Sequence, residues 1–238
     1  MERISKIIAR SGYCSRRAAE EIISAKRVKL NGNIVETLGT KADYKDIILI
    51  DNKPIDAKDE SRLWLYNKSK GLITTHKDPN GRKTVFEALP ENMPRVISVG
   101  RLDFNSEGLL LLTNDGELAR FMEMPQTGWR RKYKVRVFGN IDNLNIKELT
   151  SGVTIDSINY KPIEIELENQ KGDNSWFIVT LKEGKNREIR KIFEHYGLKV
   201  NRLIRIAYGP FQLGNLSVGE VKEVPKKILN DQLRINNK

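Results

Sequence analysis

The chain has 238 residues, enough for one ordinary domain and a small companion, and 42 Lys plus Arg stand against 31 Asp plus Glu for a net charge of +11. That excess favours a polyanionic partner, RNA or DNA ahead of an acidic membrane surface. A single cysteine, Cys14, excludes an intrachain disulfide and a cysteine-based zinc site. Two histidines are too few for a histidine metal cluster, and the lack of an apolar span or signal-like segment points to a soluble, cytoplasmic protein.

Residues 1–57 read as a separate unit. Ile4, Ile7 and Ile8 lie at helical spacing. Ser15 is placed to cap a second helix, whose apolar face is Ala18, Ala19, Ile22 and Ile23. Asn31-Gly32 falls between alternating residues from Val28 to Val35, a strong hairpin pattern, and Ile47 to Ile50 supplies a further strand. Over residues 1–30 eight bases, Arg16, Arg17, Lys26, Arg27 and Lys29 among them, are opposed by Glu2, Glu20 and Glu21. The order of two helices and a hairpin, with Ser15-Arg16-Arg17 opening the second helix and Val28-Lys29-Leu30-Asn31-Gly32 following, resembles the small RNA-binding domain named after ribosomal protein S-four. The resemblance implies phosphate contacts from Arg16, Arg17, Lys26, Arg27 and Lys29, which give affinity and register rather than sequence choice. A solvated basic face is the plainer reading, and the agreement of pattern with charge favours RNA. Asp56 to Ser61 is polar and without apolar periodicity. The linker is placed at 58–61, leaving 62–225 as a second domain and 226–238 as a basic, partly ordered tail.

The second domain opens on a strand, Leu63-Trp64-Leu65-Tyr66, followed by Asn67-Lys68-Ser69-Lys70-Gly71 and a turn at Asp78-Pro79-Asn80-Gly81. His76 is a lone loop histidine and receives no role. Val96 to Val99 reads as a buried strand, Gly100 to Gly108 as a polar connection, and Leu109 to Leu112 as a second apolar run. Asp103 sits in that connection. An aspartate there is ordinarily a turn residue bonded to nearby backbone N–H groups. A loop between two core strands also holds a carboxylate rigidly while leaving it open to a substrate. Asn114 or Asp115 is placed to cap a helix over Glu117 to Met122. Arg130 to Gly139 is a basic strand with Tyr133, Val135 and Val137 on one face. Val153 to Ile155, Ile163 to Leu167 and Trp176 to Leu181 are further strands. From Asn186 a helix is expected, ended by Gly197, with Ile189, Ile192, Phe193 and Tyr196 as its apolar stripe. Arg187 and Arg190 share one face of it. The plainer reading of Arg190 is a surface arginine paired with Glu194.

Gly100-Arg101-Leu102-Asp103, then Ser106, then Gly108-Leu109-Leu110-Leu111-Leu112-Thr113-Asn114-Asp115-Gly116 closely resembles the active-site motif of the RNA pseudouridine synthases, in particular the RsuA/RluB branch that modifies ribosomal RNA. Residues 67–75, Arg82 to Phe86, Leu181 to Phe193 and Val200 to Val224 are similar to other segments of that family. Three positions depart from it: Ser69 stands for proline, Met124 for histidine and Glu188 for glutamine. The resemblance implies an α+β fold, with a small helical and hairpin RNA-binding domain and a larger domain around a mostly antiparallel sheet. It implies isomerisation of a uridine in ribosomal RNA, with Asn105-Ser106 favouring the large subunit. Nothing is oxidised and no group is imported, so no cofactor or metal is expected. Asp103 would act as nucleophile or base at the sugar, and Arg190 would hold it ionised and oriented. Tyr133 would stack on the extruded uracil and Ile189 would pack on its other side. Arg101 would fill the gap left by the base or grip a phosphate. Lys185 and Arg187 would add RNA contacts. The closing segment reads as structural, with RNA contact from Arg202 and Arg205 as a second reading. The expected partner is ribosomal RNA within an assembling subunit, without a membrane, and the protein is expected to be a monomer. Two other classes compete. An assembly factor that has lost activity is opposed by the joint presence of Asp103, Tyr133 and Arg190. A carboxylate glycosidase could recruit Glu107 or Asp115 as its second acid, but leaves the basic N-terminal unit unexplained.

Overall fold

The computed structural model describes residues 1–43, 45–55 and 60–235. The expected linker at 58–61 therefore falls partly outside the described residues. The chain forms two compact units, one of Met1–Arg62 with residues 92–97 and 113–118, the other of the remainder.

In the first unit, α1 (Ile4–Arg10) and α2 (Arg16–Ser24) precede a small sheet of β1 (Val28–Leu30), β2 (Asn33–Ile34), β3 (Ile48–Ile50) and β4 (Lys53–Pro54), ordered β2-β1-β3-β4. Ser15 caps α2 by accepting the Ala18 N–H at 3.1 Å. Asn31 and Gly32 both take positive φ, the conformation that a tight two-residue hairpin requires. Ile4, Ile8, Ala19, Ile23, Val28, Ile48 and Ile50 form the core, so the expected helical and strand faces meet. The end of this unit is tied down by the corner at 113–115. Asn114 accepts the Arg62 N–H at 2.8 Å, its amide donates to the Glu60 carbonyl at 2.9 Å, and Thr113 donates to the Arg62 carbonyl at 2.6 Å. Asn114 is thus occupied, and Asp115 takes the cap of the next helix, accepting the Glu117 N–H at 2.8 Å.

The second unit is built on a sheet of β5 (Leu63–Lys68), β6 (Ile97–Val99), β7 (Glu107–Thr113), β8 (Arg131–Phe138), β11 (Glu164–Lys171), β12 (Asn174–Leu181), β13 (Lys199–Tyr208), β14 (Phe211–Gln212) and β15 (Val221–Glu223). The main path runs β11-β12-β8-β13-β7-β5-β15, with β14 on β13 and β6 on β7. The pairs β8–β12, β8–β13, β11–β12, β13–β14 and β5–β15 are antiparallel, and β13 and β7 run parallel. The remaining elements are α3 (Gly116–Glu123), α4 (Ile146–Ser151), α5 (Glu188–His195), α6 (Lys226–Ile235) and a hairpin of β9 (Val153–Ile155) and β10 (Ile158–Tyr160). The alternation along β8 is realised: Tyr133, Val135 and Val137 are buried and Lys132, Arg136 and Phe138 exposed. Ile189, Ile192 and Phe193 bury the inner face of α5, with the Phe193 ring 5.6 Å from that of Phe177.

Two expectations change. The helix expected from Asn186 begins at Glu188, because Arg187 adopts φ 51 and ends the preceding turn. Its far end is as expected, closed at Gly197 (φ 75) with the Leu198 N–H on the Phe193 carbonyl at 2.9 Å. Tyr196 leaves the apolar stripe and donates its hydroxyl to Glu148 at 2.7 Å. The tail carries a helix, α6, anchored by Leu229 at 2% exposure.

Candidate active site

The residues singled out in the sequence converge on one cleft of about 710 Å³ within the second unit. Arg101, Asp103, Tyr133, Lys185, Arg187 and Ile189 all line it.

Asp103 lies on the connection from β6 to β7, and this connection is fastened through its carbonyls. Leu102 O accepts from the Thr74 hydroxyl at 2.8 Å, and Phe104 O from the Gly71 N–H at 2.9 Å. Asp103 O accepts from the Ser106 N–H at 3.0 Å and from the Lys68 ammonium at 3.2 Å. Asn105 O accepts from Arg190 at 2.9 Å, and Ser106 O from Lys68 at 2.8 Å. At the start of the connection the Gly100 N–H donates to Glu123 at 2.6 Å. The backbone is therefore held at every step, while the Asp103 carboxylate makes no hydrogen bond or ion pair with another described residue and faces the cleft. A carboxylate left open on a backbone so thoroughly held is preorganised for a substrate.

Lys68 is the residue the sequence reading missed. It ends an otherwise apolar strand and is fully buried, with its Nζ on three carbonyls: Ser69, Asp103 and Ser106. Burial pushes its amine down to about 8, against the opposing charges of Asp103 and Glu107. The signal available was a lysine at the inward register of a buried strand.

Close packing behind the connection depends on Gly108. With φ 96, it meets Arg205 across the parallel β7–β13 junction, where a Cβ would sit 2.3 Å from the Arg205 carbonyl. Arg205 is 2% exposed and lines the cleft; its Nε donates to Leu109 O at 2.7 Å and its guanidinium lies 5.0 Å from the Tyr208 ring centre. Arg205 is also the direct cross-strand partner of Tyr133. Arg202 pairs with Glu107 at 2.9 Å, and Arg205 is part of the cleft wall.

Arg190 is half-buried behind the Asp103 connection rather than on its open side. It donates to Val200 O and to Asn105 O, each at 2.9 Å, and its charge acts on Asp103 without a direct ion pair. Glu194 is not its partner. Burial lowers the guanidinium's pKa from its ordinary value, with Arg187 adding to the effect and Asp103 opposing it.

The N-terminal cations do not stand equally free. Arg16 pairs with Glu20 at 3.2 Å, Lys26 with Glu36 at 3.7 Å, and Arg27 makes a two-point contact with Asp51. Glu36 and Asp51 lie beyond the window in which the sequence charges were balanced. Arg17 is exposed and Lys29 half-exposed, and both lack such a partner among the described residues.

A sheet of this topology with a fixed carboxylate facing a cleft lined by arginine, tyrosine and isoleucine, in a chain that opens with a basic helix-and-hairpin unit, defines an RNA-modifying enzyme. Family models agree: RNA pseudouridylate synthase matches residues 62–195, and the S4 domain matches residues 2–48. An uncharacterized RNA pseudouridine synthase of Rickettsia bellii is 53% identical over 228 residues, covering 96% of this chain and 99% of that protein. The ribosomal large subunit pseudouridine synthase B of Salmonella typhi is 42% identical over 219 residues, covering 89% and 75%. A crystal structure of a pseudouridylate synthase shares the fold, with TM-score 0.67 at 24% identity over 98% of this chain and 100% of that one. The chain belongs to the RNA pseudouridine synthase family.

Proposed function

We propose that the protein converts a uridine of large-subunit ribosomal RNA to pseudouridine, with Asp103 initiating the reaction at the ribose. The observation that carries this reading is the unpaired Asp103 carboxylate on a fully fastened backbone facing the cleft. The substrate class follows from the likeness to the Salmonella enzyme.

The reaction is balanced within the nucleotide. The bond from the anomeric carbon to N1 breaks, the uracil turns in the site, and C5 bonds to the same anomeric carbon. One proton leaves C5 and one is gained at N1. No electrons are exchanged with a second molecule. Attack on the anomeric carbon and proton removal from the sugar both require a carboxylate not already paired within the protein, and Asp103 makes no such pair among the described residues. Arg190 is assigned a positioning role through the Asn105 carbonyl, together with a favourable charge on the ionised form of Asp103. Tyr133 and Ile189 supply the apolar faces for the extruded base. Arg101, Lys185 and Arg187 carry positive charge at the cleft for the flanking phosphates. The S4 unit adds RNA affinity through Arg17 and Lys29 foremost. We place the reaction on an assembling subunit in the cytoplasm, carried out by a monomer. Among the described residues no helix is long and apolar enough to cross a membrane.

The test uses ribosomal RNA carrying tritium at uridine C5. The wild-type protein is expected to release label, and Asp103→Asn to lose at least 10³-fold in rate, as removal of a covalent or general-base group does. RNA binding without release by the wild type, on free RNA and on partly assembled subunits alike, would move the reading to an assembly factor.

A further inference from the structure

The turn from Glu183 to Glu188 forms one wall of the cleft, and it is organised by two carboxyl groups that the chemistry at Asp103 does not use. Glu188 is 3% exposed. Its Oε2 accepts the Lys185 N–H at 2.9 Å, closing the turn three residues back, and its Oε1 is buried with no hydrogen-bond partner of ordinary geometry. Glu183 faces it from the other end of the turn and accepts the Lys161 N–H at 2.8 Å and the Lys185 ammonium at 3.0 Å. A carboxyl this buried, with one oxygen left without a donor, favours its neutral form. The cations are distributed unevenly: the Lys185 ammonium goes to Glu183 and to the Asn159 carbonyl, leaving Glu188 without an ion pair. Tyr160 approaches from β10 with Asp156 near it, Arg131 of β8 lies beside Gly184, Arg187 directly precedes α5, and Arg190 and Lys191 belong to it.

We propose that Glu188 is a positioning residue for the isomerisation, whose buried carboxyl, bonded to the Lys185 N–H and without a cation beside it, holds the Gly184–Arg187 turn around the cleft so that turnover depends on its proton. The inference rests on the function proposed above. Burial supports it by pushing Glu188 up to about 7 while Glu183 is held low by its donors. Loss of that proton leaves a buried anion with no cation of its own in the turn that carries Lys185, Asn186 and Arg187 along the cleft.

The experiment measures tritium release from C5-labelled ribosomal RNA between pH 6 and 8.5 for the wild type, Glu188→Gln and Glu188→Ala. A single proton lost near pH 7 lowers the wild-type kcat/KM by about 30-fold across that range. Glu188→Gln keeps the acceptor for the Lys185 N–H without an ionisable group, so it is expected to stay within about threefold of the wild-type rate at pH 6 and to remain flat to pH 8.5. Glu188→Ala is expected to fall at least tenfold at every pH. Parallel profiles for wild type and Glu188→Gln, or a wild-type rate from Glu188→Ala, would overturn the proposal while leaving the isomerase reading intact. A wild type that releases no label defeats that reading instead. Glu188 is then judged without turnover by carbon-13 NMR of glutamate-labelled protein, with its carboxyl identified by its loss in Glu188→Gln. Titration near pH 7 in the wild type supports the proposal, and titration in the ordinary carboxylate range overturns it.

Discussion

At the residue scale, Lys68 shows how a buried charge serves a site it does not line. An ammonium removed from water is costly unless its donors are used, and here all three are directed at carbonyls on two segments of chain. Those segments are the end of β5 and the turn bearing Asp103, so the lysine joins the start of the domain to the candidate nucleophile. Lys68→Met fills similar volume and removes the donors, stranding the Ser106 carbonyl and leaving the Asp103 carbonyl with only the Ser106 N–H. It is expected to destabilise the protein by about 3 kcal/mol and to reduce tritium release at least 100-fold, with much smaller loss of RNA affinity. Differential scanning calorimetry and the release assay would check both. Retained turnover in a stable Lys68→Met protein would remove the link between this lysine and the site. The motif around Asp103 was legible because its residues are contiguous and of unusual type. Lys68 was not, because its partners are backbone atoms 35 and 38 residues away, which carry no side-chain pattern.

At the element scale, legibility followed the range of the forces involved. The Ser15 cap, the Asn31-Gly32 hairpin and the alternation of Tyr133, Val135 and Val137 are local, and each appears where spacing placed it. The parallel contact of β7 with β13 is set by Gly108 against Arg205, nearly a hundred residues apart, and periodicity does not encode it. The start of α5 was misplaced because an arginine at positive φ, rather than a capping side chain, sets it. Its first turn also carries a stability consequence. Glu188 has its folded-state pKa raised from 4.5 to about 7, so the folded protein binds more protons than the unfolded chain between those values. Its contribution is complete below pH 4.5 and is lost as pH rises through about 7. Glu183, shifted the opposite way, acts on the acid side of that window. Glu188→Gln should therefore match the wild type near pH 5 and exceed it at pH 8, by an upper bound of about 3 kcal/mol. Urea unfolding at the two pH values measures this, and equal gaps between the proteins at both would contradict a raised Glu188.

At the scale of the whole molecule, the charge of +11 is a poor count of what RNA meets, because the fold spends part of it internally. Arg16, Lys26 and Arg27 each have a carboxylate within the N-terminal unit, Arg202 has Glu107, and Arg190 and Arg205 are turned to backbone carbonyls. A cation already paired in the free protein must exchange one anion for another, and contributes less counterion release than a free one. Composition established the sign of the partner's charge, but only the fold separates free from committed cations. The separation is measurable in the salt dependence of binding. Arg17→Ala should weaken affinity for a ribosomal RNA fragment across sequences and lower the slope of log affinity against log salt by about 0.7 to 0.9, the value of one phosphate contact. Arg27→Ala frees Asp51 as it removes the guanidinium, so it should lower affinity at low salt while changing the slope by less. Fluorescence anisotropy between 50 and 300 mM salt, conditions set by the roughly 10 Å screening length at 0.1 M, resolves the two. Equal slope changes for Arg17→Ala and Arg27→Ala would mean that RNA opens the Arg27–Asp51 pair on binding, and that Arg27 meets phosphate as fully as Arg17 does.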